Sequence, residues 1–273
     1  MNKARFLVVF FFGMLMVLVV LPEFMHQDPL MVNLKQKLQP PSVDHLLGTD
    51  GLGRDLMSRL VYGGRNTVGT SLVILILSLG VGIPVGIFAG YAGGVIDRIF
   101  MRVSDSFLAF PDYITAIVLT GLLGPGVINL MIAIVAVKWI AYARLVRASL
   151  MAEKDKDYIH SARLSGVPSV HLVVKHLMPA ALSQLIVVAT LDIGKIILMI
   201  AALSYIGLGL QPPTPEWGAM LNEGRAYFHN APLAMVIPGV AIMVFVLLSN
   251  LMGDELQDGL QRGQKGEQNH DHS

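Results

Sequence analysis

The sequence predicts an all-α polytopic membrane protein with six transmembrane helices, and three observations indicate this class. Apolar residues make up 54% of the 273-residue chain and charged residues only 14%, against about 25% charged in a soluble domain. Several apolar runs approach or exceed the roughly 20 residues that a helix needs to cross a bilayer. The 27 glycines suit transmembrane helices, whose backbones approach closely where residues are small.

Composition also excludes several functions. The formal net charge of +1 is unlike the strongly basic charge of nucleic-acid-binding proteins, so no nucleic-acid partner is expected. Since the chain has no cysteine, it can form neither disulfides nor a thiolate metal site. The sequence contains no G-x-x-x-x-G-K-[ST] phosphate loop and no H-E-x-x-H pair. We therefore expect no enzyme activity and no cofactor in this chain.

Six apolar runs predict the spans, at residues 6–21, 67–91, 107–123, 127–143, 182–208 and 231–252. The first run is longer than the core of a secretory signal, which has about 7–15 residues, and no A-x-A-like cleavage site follows it. A retained first helix is therefore favoured over a signal peptide. In and just after the second run, glycines recur every four residues at 82, 86, 90 and 94, which indicates close helix packing. Packing within the chain and a seam between subunits both fit this stripe.

The distribution of Lys and Arg predicts the orientation. With a cytoplasmic N-terminus, most of these residues fall on inner segments: Lys3, Arg5, Arg98, Arg102, Arg144, Arg147, Lys154, Lys156, Arg163, Lys175, Arg262 and Lys265. An excess of Lys and Arg marks the cytoplasmic side, so both termini are expected there. The charged stretch at residues 97–105 is then a short inner loop.

Three parts are expected along the chain. Residues 1–66 form a first helix and an extracytoplasmic segment, residues 67–255 form a transmembrane domain with a cytoplasmic loop at 144–180, and residues 256–273 form a polar cytoplasmic tail. In the outer segment, glycines at 48, 51 and 53 indicate turns. An interfacial helix that holds Arg54 and Arg59 at headgroup level is expected to follow them.

Charged residues within the spans are candidate sites. Asp192 and Lys195 lie three residues apart and share a helix face, which fits either a transport pathway or a buried structural ion pair. Lys138 is expected to extend toward the cytoplasmic headgroups. In the tail, His270 and His272 are weak candidates for a loosely bound metal, and a solvated tail is the simpler interpretation.

The longest polar interruption runs from Asp157 to Pro179. A short helix is expected to end at the sequence Gly166-Val-Pro168, and a second amphipathic piece is expected to end at Pro179. Such a loop is suited to present a knuckle to a partner protein.

Two stretches resemble signatures of a known family. The sequence Ser161-Ala-Arg-Leu-Ser-Gly166 followed by Pro179 is similar to the cytoplasmic EAA-type signature of ABC importer permeases, with Ser161 in place of the usual first alanine. Residues 48–59 resemble the pre-membrane signature of the second permease of dipeptide, oligopeptide and nickel importers. Residues 162–166, 189–194 and 216–218, with the histidine-bearing tail, look most similar to nickel-transport permeases.

The resemblance implies a type I ABC importer permease in a bacterial inner membrane. Its expected partners are a homologous second permease, two cytoplasmic ATPase subunits and an extracytoplasmic solute-binding protein. Residues Ser161, Ala162, Arg163, Gly166 and Pro179 would then belong to the coupling loop that docks on an ATPase. Nickel or a nickel chelate is the expected substrate, and a dipeptide or oligopeptide is the alternative. An ion-coupled secondary transporter is the alternative from a different class.

Overall fold

The computed structural model describes residues 3–25 and 27–270, and gives the backbone alone in residues 3–8, 10, 12 and 260–270. Within these ranges every regular secondary-structure element is a helix, which confirms the all-α prediction. Ten α-helices follow one another: α1 (Lys3–Val20), α2 (Leu56–Ala92), α3 (Gly94–Leu108), α4 (Asp112–Leu123), α5 (Val127–Lys154), α6 (Asp157–Leu164), α7 (Ser169–Leu172), α8 (Met178–Tyr205), α9 (Trp217–Arg225) and α10 (Leu233–His270). Two short 3₁₀ helices lie between α1 and α2, and a π-helical turn, Val173–Leu177, joins α7 to α8.

Within the described residues, four helical segments are long and apolar enough to cross a membrane, at Leu56–Ala92, Val127–Lys154, Ser169–Tyr205 and Leu233–Gly259, and the bent pair of α3 and α4 would make a fifth. The four correspond to the predicted second, fourth, fifth and sixth spans, and each extends beyond its predicted range at one end or both. Helices project past the hydrocarbon, whereas the apolar pattern marks only the part inside it. The first predicted span coincides with α1, whose described apolar portion is shorter than these four.

The predicted third span, residues 107–123, is wrong as a single helix. The structure ends α3 at Leu108 and begins α4 at Asp112, with an angle of 86° between them. Pro111 accounts for the break, because proline lacks a backbone N–H and disfavours helix at the residue before it. The 12 residues of α4 extend about 18 Å, which is short of a bilayer core. The predicted charged loop at residues 97–105 lies within α3.

The glycine stripe packs α2 against α5. A Cβ atom added to Gly82 would lie 2.7 Å from a backbone oxygen of α5, and one added to Gly86 would lie 2.5 Å from the backbone oxygen of Ala143. At Gly90 the nearest heavy atom, also in α5, would be 3.1 Å away. Of the two interpretations, packing within the chain is therefore the one that fits these three glycines.

The hydrophobic core lies between the long helices. Most of its fully buried members come from α2, α5, α8 and α10, and they include Ile74, Ile134, Ile196, Ile200 and Phe245. Trp217 at the start of α9 joins the same cluster from the loop between α8 and α10. The polar loop between α5 and α8 is connected to this core through buried aliphatic side chains at its base.

Candidate functional site

The loop between α5 and α8 folds into a helical knuckle whose tip is fixed by Gly166. Helix α6 ends at Leu164, and the amide of Gly166 then donates to the carbonyl of Arg163 at 3.1 Å. The amide of Val167 donates to the carbonyl of Ala162 at 3.2 Å. This pair of bonds is a Schellman motif, which needs a left-handed residue at its turn. Gly166 supplies it with a φ of +79°, so the backbone itself favours glycine at this position.

The knuckle is anchored at its base and open at its tip. Ile159 is fully buried and connects α6 to the core. Leu164, by contrast, is 91% exposed, and Val170 on the neighbouring turn is also exposed. Arg163 is exposed and forms no ion pair with the part of the chain that the structure describes. An apolar tip with a free cation beside it is a surface that suits a protein partner.

A hydrogen bond holds the start of α6 to the end of α5. The hydroxyl of Tyr158 donates to Oε1 of Glu153. Burial and this hydrogen bond raise the pKa of Tyr158 to about 12, so the hydroxyl keeps its proton at physiological pH. Lys156 pairs with the other oxygen of Glu153 at 2.8 Å. The knuckle is therefore fixed in position relative to α5.

The second half of the loop continues into α8, and the prediction that it ends at Pro179 is wrong. Residues Ser169–Tyr205 form one helical segment, with Pro179 in the first turn of α8. A π-helical turn directly precedes it, and such a turn changes the hydrogen-bond register where the proline lacks its N–H. Ser161, Ala162, Arg163 and Gly166 lie together at the knuckle, whereas Pro179 belongs to the base of α8.

Asp192 and Lys195 form an ion pair in α8, as their spacing predicted, with 3.1 Å between Nζ and Oδ1. Their surroundings differ. The Asp192 side chain is buried, and its Oδ2 accepts a hydrogen bond of 2.9 Å from the hydroxyl of Tyr142 in α5. The Lys195 side chain is 63% exposed. Asp192 thus connects two helices, while Lys195 presents a cation on the outer face of α8.

Lys138 does not extend toward the headgroups as predicted. It is buried, and its Nζ lies 3.5 Å from Oδ2 of Asp112 in the first turn of α4. The carboxylate at the break between α3 and α4 gives the ammonium a nearer partner than the membrane surface. A cation near the middle of a span is costly, and such a partner offsets part of that cost.

The outer segment contains a buried charge cluster that the sequence did not indicate. Nε of Arg54 lies 2.6 Å from Asp50, and its Nη2 lies 2.6 Å from Glu223 in α9. Arg59, only 1% exposed, contacts the same two carboxylates at 3.3 Å and 2.8 Å. The interfacial location predicted for Arg54 and Arg59 is therefore wrong, because both guanidiniums have two internal carboxylate partners.

The loop before α9 is attached to α2 by Glu216. This buried side chain caps α9, accepting hydrogen bonds of 2.9 Å from the amides of Gly218 and Ala219, and one of 3.0 Å from the hydroxyl of Thr67. Burial raises the pKa of Glu216, and the two amide donors offset part of that rise. Glutamate is not among the preferred N-cap residues, and Thr67 lies in a helix distant in sequence, so the sequence did not indicate this cap.

The weak metal candidates receive no structural description. His272 lies outside the described residues, and for His270 only the backbone is described. Among the described side chains, no group of three or more His, Asp or Glu residues could hold a metal ion.

Comparison with known sequences shows where this chain belongs. Residues 82–265 match the model of the family described as "Binding-protein-dependent transport system inner membrane component". The nickel transport system permease protein NikC of Escherichia coli K12 is 42% identical over 233 residues, which cover 85% of this chain and 84% of NikC. The di/tripeptide transport system permease protein DppC of Pseudomonas aeruginosa is 43% identical over 229 residues, covering 82% of this chain and 76% of DppC.

A solved structure has the same fold. An inward-facing conformation of the MetNI methionine ABC transporter matches 74% of this chain and 95% of the compared chain, with a TM-score of 0.60 and 21% sequence identity. The expected permease fold and the expected relationship to nickel and dipeptide permeases are thus confirmed. The chain is a membrane transport component rather than an enzyme, and it belongs to the family of binding-protein-dependent transport system inner membrane components.

Proposed function

We propose that this chain is the permease subunit of an ATP-driven importer and forms half of its translocation pathway. The exposed knuckle at Ala162–Gly166 is the observation that carries the proposal. It is fixed by a Schellman motif and anchored by Ile159, yet its tip exposes Leu164 and the unpaired Arg163. A rigid protrusion with an apolar tip transmits a partner's movement to both spans, because α8 is continuous with the second half of the loop and Tyr158 and Lys156 bind Glu153 at the end of α5.

In this proposal the knuckle docks on one of two cytoplasmic ATPase subunits. Leu164 and Val170 provide the apolar contact, and Arg163 pairs with an acidic group of the ATPase. Both termini lie in the cytoplasm, as the distribution of Lys and Arg predicts. A homologous second permease completes the pathway, and an extracytoplasmic solute-binding protein delivers the substrate to it.

Lys195 supports the proposal that the pathway follows the outer face of α8. An ammonium is costly in contact with lipid in the middle of a bilayer, and its side chain is exposed in the isolated subunit. The second permease or a water-filled pathway would remove this cost. We therefore propose that Lys195 lines the pathway. Asp192 holds that lysine in position through the ion pair and contacts α5 through Tyr142.

Nickel or a nickel chelate is the proposed substrate. NikC matches over the larger share of its own length, and the chain carries the motifs that look most similar to nickel permeases. Because the described side chains include no metal-binding group, selection of the ion would depend on the solute-binding protein or a chelator. Transport of dipeptides is the second candidate, favoured by the 43% identity with DppC.

Uptake of labelled nickel and of a labelled dipeptide tests the proposal in cells with and without the gene, at matched expression of its neighbours. Loss of nickel uptake alone is the expected result, and added chelators then show whether the ion moves free or bound. Loss of dipeptide uptake alone would make the substrate wrong and leave the permease function intact. Uptake that follows the proton gradient instead of ATP would contradict the importer itself.

A further inference from the structure

Helix α3 crosses α5 instead of running beside it. Asp97 near the start of α3 forms an ion pair with Arg147, and Asp105 near its end lies 2.7 Å from Arg144. Two α3 residues that are eight positions apart therefore contact α5 residues only three positions apart. At the same time α3 makes an angle of 86° with α4, which packs along α5. The axis of α3 thus lies nearly perpendicular to the spans.

The contacts with α5 also fix the depth of α3. In a regular helix Arg144 and Arg147 lie about 26 and 30 Å from Val127, at the other end of α5. The hydrocarbon core of a bilayer is about 30 Å thick. With the turn before Val127 at one membrane surface, α3 therefore lies at the opposite surface and parallel to it. Lys138 and Asp112, about 17 Å from that turn, mark the middle of the membrane, where α4 begins.

The surface that α3 leaves uncovered is amphipathic. Val95, Ile99 and Val103 follow one another at four-residue spacing, and all three are exposed. The adjacent stripe consists of Arg98 and Arg102, which are also exposed and form no ion pair with any side chain that the structure describes. An exposed apolar stripe beside unpaired cations is typical of a helix that lies in the headgroup region of a membrane.

We propose that α3 is an interfacial helix that binds anionic lipid headgroups. Val95, Ile99 and Val103 enter the acyl region, and Arg98 and Arg102 contact the phosphates of acidic phospholipids. Anionic headgroups complement two unpaired cations located at the depth of the membrane surface. The inference requires only that the long helices span a bilayer, and it takes the cytoplasmic leaflet from the proposed orientation. It does not depend on which substrate is transported.

The absence of cysteine allows a direct test with single-cysteine variants. Ile99→Cys is labelled with a fluorophore in the full chain, within the complex isolated from its membrane and placed in lipid nanodiscs. Brominated phosphatidylglycerol, brominated phosphatidylcholine and aqueous iodide serve as quenchers. Leu122→Cys on the exposed apolar surface of α4 is the lipid-facing control, and Val43→Cys, with Val43 96% exposed in the outer segment, is the aqueous control.

The Ile99 label should be quenched by both brominated lipids, and more strongly by phosphatidylglycerol. In the R98Q/R102Q background the preference for phosphatidylglycerol should fall by about fivefold for each arginine removed. A K35Q/K37Q background removes the same charge from the outer segment and should leave the preference unchanged.

Three outcomes would overturn the proposal. Quenching by iodide as strong as at Val43 would locate α3 in water. Protection from all three quenchers would show that a protein subunit covers it. Equal quenching by brominated phosphatidylglycerol and phosphatidylcholine, unchanged in R98Q/R102Q, would show that α3 has no site for anionic headgroups. These three quenching results do not depend on transport, so a failure of the proposed substrate in the uptake experiment would leave this test unaffected.

Discussion

Asp192 and Lys195 occupy adjacent turns of α8, yet one is buried and the other is exposed. Asp192 has two partners, Lys195 and the hydroxyl of Tyr142, so it contributes to the contact between α5 and α8. Lys195 has one partner and an open side. The two residues therefore differ in what their loss removes: loss of the carboxylate removes the contact with Tyr142, whereas loss of the ammonium removes the exposed cation and one of the two partners of Asp192.

We expect Lys195→Met to lower both stability and transport. It leaves the buried carboxylate of Asp192 with the tyrosine hydroxyl alone, and an incompletely satisfied buried polar group costs about 1–3 kcal/mol. The double variant Asp192→Asn/Lys195→Met removes the uncompensated charge and should recover most of the melting temperature in detergent. If Lys195 lines the pathway, transport by the double variant stays low at wild-type expression. Full transport by the double variant would contradict a role for the pair.

Gly166 has a backbone conformation that favours glycine and a position at which a docked partner would leave no space for a side chain. Substitutions can distinguish these two requirements. Its φ of +79° suits glycine, and asparagine tolerates this region better than other residues. Apart from its chain neighbours, no described heavy atom lies within 4 Å of a Cβ added there, so this part of the isolated subunit has space at the Cβ position. A steric conflict that arises only in the assembled complex would therefore come from a bound partner.

We predict that Gly166→Glu uncouples the importer while the permease remains in the membrane, because a large charged side chain cannot enter a tight docking groove. Gly166→Asn keeps the turn with a smaller side chain and should retain more activity. Ligand-stimulated ATP hydrolysis by the isolated complex measures the coupling. Normal stimulation with Gly166→Glu would sink the docking role, and equal loss with both variants would show that any side chain blocks docking.

Helix ends and breaks were the least predictable elements of this fold. Hydropathy located the interior of the second, fourth, fifth and sixth spans, because an apolar run marks the part of a helix that lies in hydrocarbon. It did not indicate that α2 begins at Leu56, since the residues there are buried by the outer segment and not by lipid. It also joined two apolar pieces across Pro111, where the backbone turns by 86°. The knuckle was predictable because Gly166 and Pro168 act locally.

In the described structure α2 packs closely on α5 at glycine positions. Two substitutions in α2, one at such a position and one away from it, test whether this contact needs glycine. Gly86→Ala places a Cβ atom 2.5 Å from the oxygen of Ala143, and such overpacking costs about 1–3 kcal/mol. Gly80→Ala adds the same methyl group where no described heavy atom outside the adjoining turns of α2 lies within 4 Å, and helix propensity then favours alanine.

Thermal unfolding of the purified protein in detergent should therefore show a lower melting temperature for Gly86→Ala and an unchanged or higher one for Gly80→Ala. Equal effects of the two substitutions would contradict the packing role assigned to the glycine stripe. A loss of transport by Gly80→Ala at normal stability would indicate instead that this part of α2 contacts a second subunit.

At the scale of the whole molecule, the fold follows from local apolar patterning, but the charge clusters follow from distant contacts. The pair Asp192–Lys195 was predictable because three residues separate its members in one helix. The contact of Arg59 with Glu223 joins residues 164 positions apart, and the contact of Lys138 with Asp112 joins two different helices, so the tertiary fold determines both. For the same reason, the headgroup locations predicted for Arg54, Arg59 and Lys138 are wrong, because each of these cations pairs with a carboxylate inside the fold.

The orientation of the whole molecule remains a prediction, and single cysteines in the cysteine-free chain can test it. Val43 in the outer segment and Leu164 at the tip of the knuckle are both more than 90% exposed, so both cysteines should react rapidly wherever reagent is present. In cells stripped of their outer membrane, an impermeant maleimide should label Val43→Cys at once and Leu164→Cys only after permeabilisation. The reverse pattern would place the knuckle outside, where no ATPase could reach it, and would contradict the coupling mechanism together with the orientation.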